Sequence, residues 1–245
     1  MEPQTLLVGK KIALAGSIGA GKTTIGRKVR DCLLKSGIQT SFFEETVPQV
    51  LLEKATLQQD KWMEQFQTVM VMRAGFREFL ANKEKTDVLL LERPLEESWV
   101  FGKANLNTGK MSQEYYDEWY SPLHEEYKGS LELDLIVFLL VDLETAAKRR
   151  DLRSRPSEES YGDAYTNALT DAYFDWVLEC CGDGRMLVVN WTEFEEPEQL
   201  LNRIVKALAN PEQLKQKVVH MLPHGDKYRQ FEYELLKHLA KLQAL

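Results

Sequence analysis

Short apolar runs rich in β-branched residues alternate along the chain with longer segments whose apolar residues recur every three or four positions. The short runs fit buried parallel strands, and the longer segments fit amphipathic helices. Strands are predicted over 11–15, 39–44, 88–92, 135–141 and 186–190. Helices are predicted over 22–36, 60–81, 95–106, 113–128, 143–152, 164–179 and 197–208. This alternation predicts an α/β fold with a five-stranded parallel sheet flanked by helices.

The chain has 245 residues, which is between one and two domains of average size. Residues 1–209 fit one doubly wound domain. Residues 210–245 form a predicted helical C-terminal extension, in which Phe231, Leu235, Leu239 and Leu242 lie three or four positions apart on one helical face. Such a face needs an apolar partner surface, either on its own domain or on a second subunit.

Charge and cysteine content narrow the class of protein. Lys and Arg number 31 and Asp and Glu 38, so the formal net charge of −7 argues against a nucleic-acid polymer as the main partner. No apolar run is long enough to predict a membrane span, and the first strand begins too early to leave room for a signal or transit peptide. The three cysteines have neither disulfide-framework nor zinc spacing. We therefore expect a soluble cytoplasmic protein with reduced thiols.

A glycine-rich motif follows the first predicted strand and opens the first predicted helix. It matches the phosphate-loop pattern G-x-x-x-x-G-K-[ST]. In that pattern backbone N–H groups and the helix N-terminus face the phosphates, the lysine reaches the β and γ phosphates, and the hydroxyl binds Mg²⁺. We therefore expect a nucleoside triphosphate to bind at Gly16, Ser17, Ile18, Gly19, Ala20, Gly21, Lys22, Thr23 and the adjacent Thr24.

Two further groups of charged residues favour phosphoryl transfer. Glu92 and Arg93 end the third predicted strand, which places them at the carboxyl edge of the sheet, where ligands bind in open α/β folds. Residues 148–162 form a polar, basic break that is typical of a mobile flap, with arginines at 149, 150, 153 and 155. An arginine-rich lid of this kind would supply positive charge to a transferring phosphoryl group. The pattern favours a kinase that acts on a small acceptor.

With these motifs in this order, the sequence resembles the deoxyribonucleoside kinase family over about residues 10–209. The resemblance rests on the phosphate loop, on Glu45-Thr46-Val47 after the second strand, on Phe66-Gln67-Thr68 within a helix, on Glu92-Arg93, and on the arginine segment. It implies a P-loop kinase fold that uses ATP and Mg²⁺ to phosphorylate the 5′-hydroxyl of a deoxyribonucleoside in nucleotide salvage.

The resemblance also implies catalytic roles. Glu45 is similar to the carboxylate that accepts the proton of the attacking 5′-hydroxyl, with Glu44 as the alternative because the family usually shows Glu-Pro-Val. Arg93 resembles the arginine that holds the 5′-oxygen and that carboxylate. Glu92 resembles the residue that organises Mg²⁺ together with Thr23.

Further residues are expected at the ligands. Lys22, Arg149 and Arg153 complete the catalytic set, and Arg149, Arg153 and Arg155 have the spacing of the family's arginines at the phosphates. Gln67 resembles the amide that pairs with the nucleobase edge, because an amide offers both a donor and an acceptor. The expected substrate contacts are Glu45, Trp62, Phe66, Gln67, Arg73, Arg93, Glu97 and Glu159.

Substrate choice follows from the same resemblance. Glu159, or else Glu158, resembles the glutamate that bonds the sugar 3′-hydroxyl. Gln67 and the length of the segment 92–101, which resembles the deoxyadenosine type, favour a purine deoxynucleoside, with deoxyadenosine first. Two alternatives stay open: a thymidylate kinase-like enzyme that accepts a nucleoside monophosphate, and a P-loop regulator that binds nucleotide without transferring phosphate.

The resemblance also implies an oligomer. Family members form dimers through helices next to the sheet, which here lie around 62–81 and 113–128. We expect a homodimer, or a homotetramer if the C-terminal extension forms a second interface, because closed two-fold contacts are the commonest.

Overall fold

The computed structural model of the protein describes residues 3–153 and 162–215 and, near the C-terminus, residues 236, 237, 240, 241 and 243. For Arg153, at the end of a helix, only the backbone is described. Outside the described part lie the predicted residues Arg155, Glu158, Glu159, Phe231, Leu235, Leu239 and Leu242.

Strands and helices alternate as the sequence pattern predicts. The strands are β1 (Lys10–Ala15), β2 (Thr40–Phe43), β3 (Val88–Glu92), β4 (Leu135–Leu140) and β5 (Met186–Asn190). The first helices are α1 (Lys22–Lys35), α2 (Gln49–Leu57), α3 (Gln59–Asn82), α4 (Leu95–Asn107) and α5 (Gln113–Tyr115). A π-helical turn (Tyr116–Tyr120) follows, and then α6 (Ser121–Tyr127), α7 (Leu143–Arg153), α8 (Asp163–Gly182) and α9 (Pro197–Ala209).

The five strands form one parallel sheet in the order β2-β3-β1-β4-β5. The central strand β1 pairs with β3 on one side, where Leu14 lies opposite Glu92, and with β4 on the other, where Ala15 lies opposite Phe138. Because all strands run the same way, the segments that follow them meet at one edge of the sheet. This arrangement confirms the predicted α/β sheet and places the phosphate loop beside Arg93.

The sheet is covered on both faces, and alternate residues of β1 enter two different hydrophobic clusters. Ile12 and Leu14 pack with residues of α1 and α9, and Ala13 and Ala15 pack with residues of α4 and α8. Side chains that alternate between faces explain this split, and burial on both faces explains the continuous apolar runs. Within the described part of the chain, no helix combines the length and the apolarity needed to cross a membrane.

Three local features differ from the sequence pattern. The helix α2 was not predicted, since it is short and leaves Val50 and Leu57 on its exposed side. The predicted helix over 113–128 is interrupted by the π-helical turn, which keeps Tyr116 and Tyr120 both buried, with ring centroids 5.7 Å apart. The predicted basic break overlaps the predicted helix over 143–152, and the structure has helix in the overlap, since α7 ends at Arg153.

The described end of the C-terminal extension packs against its own domain. Leu236 and Ala240 are buried in the cluster that contains α8. The amide of Gln243 accepts a hydrogen bond from Val188 N at 2.6 Å and donates to Met186 O at 3.0 Å. Since β5 is an edge strand, Gln243 satisfies backbone groups that the sheet leaves unpaired. The predicted face at 231, 235, 239 and 242 lies outside the described residues.

Candidate active site

The phosphate loop connects β1 to α1 and turns on glycines. Gly16 has φ +140°, and a Cβ there would lie 2.8 Å from the Leu139 carbonyl oxygen, so only glycine fits. Lys22 begins α1, and its Nζ donates to Gly16 O at 2.7 Å and to Ser17 O at 2.9 Å. Burial, aided by the charge of Arg93, lowers the pKa of Lys22 to about 8. The loop therefore holds a buried amine against its own backbone carbonyls at the start of α1, and in phosphate loops a lysine at this position reaches the β and γ phosphates.

Thr23 and Glu92 form an oxygen-rich corner next to the loop. Thr23 Oγ1 donates to Glu92 Oε1 at 2.7 Å, and Glu92 Oε2 accepts from Glu45 N at 3.2 Å. Hydroxyl and carboxylate oxygens suit Mg²⁺, which typically binds through one or two protein oxygens together with substrate phosphates and water. The donor set therefore fits Mg²⁺, although the described residues contain no cluster of three or more His, Cys, Asp or Glu side chains able to hold a metal alone.

Arg93 is the charged centre of the site. It is a non-glycine residue with positive φ, at +56°, and its N–H still donates to Leu14 O at 2.9 Å. With this backbone conformation, the Arg93 side chain contacts two carboxylates. Its Nε donates to Glu45 Oε2 at 2.9 Å, and its Nη1 donates to Glu97 Oε1 at 2.5 Å. Although burial opposes the charge, Glu97 and Glu45 raise the pKa of Arg93 well above its ordinary value. The guanidinium therefore stays charged between two carboxylates.

The two adjacent glutamates after β2 have different surroundings. Glu44 is bound by both Nε and Nη2 of Arg27, at 2.7 and 2.6 Å, on an exposed face, and these hydrogen bonds lower the pKa of Glu44. Glu45 points inward to Arg93, and its side chain is 19% exposed. Of the two carboxylates, Glu45 is therefore the one held beside the charged centre.

A cavity of about 710 Å³ joins this centre to the phosphate loop and to α3. Its volume suits a small ligand. Phe66, Gln67 and Met70 line one end, and Lys22 and Thr23 line the other. Gln67 is buried, and among the described residues its amide makes only a long contact, from Nε2 to Met63 Sδ at 3.8 Å. The polar end of Gln67 is thus available to a ligand.

Two residues expected at the substrate do not line the cavity. Trp62 is partly buried against the apolar cluster that α2 and α3 share, and Lys54 Nζ lies 4.6 Å from its ring centroid. Arg73 is exposed and donates to the backbone oxygen of Thr46. One turn further along α3, Arg77 lines the cavity instead and donates to Arg93 O. The arginine that reaches the site from α3 is therefore Arg77.

Glu97 borders the cavity but is fully buried and already engaged by protein groups. Its Oε1 accepts from Gly16 N at 3.2 Å, from Arg93 Nη1, and from the Tyr173 hydroxyl at 2.6 Å. The sequence indicated Glu97 as a substrate contact and gave no indication of Tyr173, which comes from α8. These contacts identify Glu97 first as a support of Arg93 and the loop.

Arg149 lines the cavity at the end that the phosphate loop forms. Its Nη2 donates to Trp191 O at 3.1 Å and to Thr192 O at 2.8 Å, and its guanidinium lies 4.0 Å from the ring centroid of Phe194. The sequence did not indicate Phe194, whose ring carbon lies 3.1 Å from where a Cβ on Gly21 would stand. A cation over an exposed ring beside the loop offers a surface for a flat group.

The fold and this site define a P-loop protein of the kinase type. The chain matches the profile of the family described as "Deoxynucleoside kinase" over residues 12–212, and it belongs to that family.

Named relatives carry several nucleoside specificities. The chain is 28% identical over 199 residues to a deoxyadenosine kinase of Dictyostelium discoideum, covering 81% of this chain and 79% of the relative. It is 26% identical over 216 residues to a deoxycytidine kinase of Homo sapiens, covering 76% and 80%. A deoxyadenosine kinase structure from M. mycoides with bound dATP superposes with a TM-score of 0.69 at 23% identity, over 80% of this chain and 98% of that one. The structural likeness supports the fold.

Proposed function

We propose that this deoxynucleoside kinase transfers the γ-phosphoryl group of ATP to the 5′-hydroxyl of a deoxyribonucleoside. The observation that carries the proposal is the Glu45 carboxylate, held by Arg93 at 2.9 Å in a cavity that runs from the phosphate loop to Gln67. A general base must lie within hydrogen-bond reach of the proton it removes. A 5′-hydroxyl between Glu45 and the loop would satisfy that requirement.

In the proposed reaction, Glu45 takes the proton as the 5′-oxygen bonds to the γ-phosphorus and the bond to the bridging oxygen of ADP breaks. Arg93 orients the carboxylate and the 5′-oxygen, and Lys22 and Arg149 face the donor phosphates. Thr23 and Glu92 would hold Mg²⁺, which supplies positive charge to the phosphate oxygens.

The lid residues beyond Arg149 have proposed roles from the family resemblance alone. Arg153 and Arg155 would face the transferring phosphoryl group, and Glu159 the sugar 3′-hydroxyl. These roles belong to the arginine-rich lid, whose side chains from Arg153 onward lie outside the described residues.

We propose a purine deoxynucleoside as the preferred acceptor, with deoxyadenosine first. Gln67 supports this choice, since its amide has only a 3.8 Å contact to Met63 Sδ among the described residues and matches adenine with one donor and one acceptor. Phe66 lies beside it and offers a flat apolar surface to a base.

We also propose a homodimer or homotetramer in the cytoplasm. The three free cysteines support a reducing compartment. An exposed apolar stripe on α3 supports a subunit contact at the helices that the family resemblance indicates.

A coupled assay with ATP, Mg²⁺ and one acceptor at a time tests the proposal. The acceptors are the four deoxynucleosides, thymidylate and water. We expect turnover with deoxynucleosides and the highest kcat/KM with deoxyadenosine. Turnover with thymidylate alone would favour a monophosphate kinase, and nucleotide binding without turnover would favour a regulator. A higher kcat/KM for deoxycytidine or thymidine would overturn the purine preference only.

A further inference from the structure

The first peptide group of the phosphate loop is held from both sides by buried side chains. The N–H of Gly16 donates to Glu97 Oε1 at 3.2 Å. The carbonyl oxygen of Gly16 accepts from Lys22 Nζ at 2.7 Å and lies 3.1 Å from the Tyr173 hydroxyl. Gly16, Lys22, Glu97 and Tyr173 are all buried, so water does not readily replace any of these partners.

The Tyr173 hydroxyl has one proton and two acceptors within reach. Glu97 Oε1 lies 2.6 Å away and Gly16 O lies 3.1 Å away. With Lys22 already at the Gly16 carbonyl, the shorter bond to the carboxylate takes the proton. Rotation about the bond between the ring and the hydroxyl oxygen turns the proton to Gly16 O. Two oxygens 2.6 Å apart repel each other when no proton lies between them, so Glu97 Oε1 then moves away from the hydroxyl.

The ring of Tyr173 keeps the oxygen in place. It packs against Phe138 and Phe101, with centroid distances of 5.5 and 6.1 Å, and against Trp176 at 6.4 Å. The oxygen also accepts from Arg93 Nη1 at 3.0 Å. The hydroxyl therefore stays between the loop and Arg93 whichever way its proton points.

Binding of a triphosphate changes the partners of the Gly16 carbonyl. In phosphate loops the lysine reaches the β and γ phosphates, so Lys22 leaves Gly16 O when ATP binds. The carbonyl is buried and would lose its donor. Tyr173 is the other donor that the structure places within reach among the described residues.

We propose that Tyr173 is a positioning residue whose hydroxyl replaces Lys22 at the Gly16 carbonyl when ATP binds. The same rotation removes one hydrogen bond from Glu97, which leaves this carboxylate to Gly16 N and Arg93. Binding of ATP at the phosphate loop is thereby linked to the guanidinium of Arg93, which holds Glu45. The inference rests on the proposed use of ATP and adds a residue that couples the donor end of the site to the acceptor end.

A double-mutant cycle on ATP affinity tests this role. The Kd for Mg·ATP, without nucleoside, is measured by calorimetry for the native chain, Tyr173→Phe, Lys22→Met and the double variant. Tyr173→Phe keeps the ring and removes the hydroxyl, so ATP binding should weaken about fivefold or more, because a buried carbonyl loses its replacement donor. In the Lys22→Met variant the Tyr173 hydroxyl already donates to Gly16 O before ATP binds. There the second substitution should change the Kd less than about twofold.

Tyr120→Phe is the matched control, because it removes the hydroxyl of another buried tyrosine, which donates to Ser98 O at 2.6 Å. It should leave the Kd unchanged in both backgrounds. Equal weakening by Tyr173→Phe in both backgrounds would indicate a merely structural role and overturn the inference, as would no weakening in the native background.

A second measurement does not depend on Lys22→Met. With ATP bound, the backbone amides of the loop 16–21 should exchange hydrogen faster in Tyr173→Phe than in the native chain. Equal exchange rates in the two ATP-bound chains would contradict the inference. Both measurements are independent of phosphoryl transfer. If the protein phosphorylates no nucleoside but the cycle is non-additive, the proposed acceptor fails and the role of Tyr173 stands. If phosphoryl transfer occurs and the cycle is additive, the role of Tyr173 alone fails.

Discussion

Arg93 Nε lies 2.9 Å from Glu45 Oε2, although the two residues are separated by 48 positions and sit on different strand-end segments. The contact depends on the left-handed backbone of Arg93, at φ +56°, which costs on the order of 1 kcal/mol or more for a residue with a side chain. Backbone strain of this kind persists where surrounding contacts hold it, and here Leu14 O and the Glu97 carboxylate hold Arg93. The pairing supports our proposal that Glu45 is the general base.

Glu45→Gln should lower kcat for deoxynucleoside phosphorylation by about 10²-fold or more, because general-base catalysis contributes about 10² to 10⁴. The Kd for ATP should stay near the native value, since Lys22 and the loop are untouched. The matched control is Glu44→Gln, which breaks an exposed ion pair to Arg27 and should change kcat less than about threefold. An inactive Glu44→Gln beside a nearly normal Glu45→Gln would assign the base to the other glutamate.

ATP binding should take up protons near pH 8. Burial lowers the pKa of Lys22 to about 8 in the free protein, and bound phosphates favour its charged form. If the charged lysine is the form that binds, Kd rises about tenfold between pH 7 and pH 9. Calorimetry in two buffers of different ionisation enthalpy measures the uptake. Lys22→Met should abolish it, and equal uptake in that variant would assign the proton to another group.

Glu78 should make the protein less stable as the pH rises from about 4.5 to 7. Its Oε1 accepts from Leu95 N at 2.7 Å, and burial raises the pKa of Glu78 from 4.5 to about 7. The folded state then binds more protons than the unfolded state across this window, so the free energy of unfolding falls by up to about 3 kcal/mol as the pH rises. Urea denaturation of Glu78→Gln should lack this slope, and exposed Glu53→Gln should keep it. An identical slope in native and Glu78→Gln chains would contradict the assignment.

The stripe on α3 should form a subunit contact. Met72, Phe76, Phe79 and Leu80 are exposed, with Phe76 at 59%. Phe76→Glu places a charge in the proposed interface and should halve the mass measured by light scattering, from dimer to monomer or from tetramer to dimer. Leu57→Glu alters an 82% exposed residue away from the stripe and should leave the mass unchanged. An unchanged mass of Phe76→Glu would place the interface elsewhere.

The sequence predicts those parts of the site that are local in the chain. The run Ile12–Ala15 and the glycine-lysine motif specify the strand, turn and helix of the phosphate loop, because each step has its own backbone requirement. The sheet and its order of elements follow from buried apolar runs. The predicted end of the third strand put Glu92 and Arg93 at the carboxyl edge of the sheet, and in the structure β3 ends at Glu92.

The pattern of apolar and polar residues does not predict contacts between residues that are far apart in the sequence. Tyr173 lies 80 positions from Arg93 and meets it only because α8 packs beside α4. Arg73 and Arg77 lie one turn apart on the same face of α3. Which of them reaches the cavity depends on the position of the helix along its axis relative to the sheet, and the sequence pattern does not specify that position. Phe194 follows β5 in a segment without a motif.

A tracer experiment that follows phosphate from ATP to product tests the proposed phosphoryl transfer most directly. Native protein is incubated with γ-³²P-ATP, Mg²⁺ and deoxyadenosine, and the product is separated and compared with deoxyadenosine 5′-monophosphate. We expect label in the 5′-monophosphate with the native chain and at least about a hundredfold less with Glu45→Gln. Label found only in inorganic phosphate or in a nucleoside diphosphate, with native protein and each of the four deoxynucleosides, would contradict it.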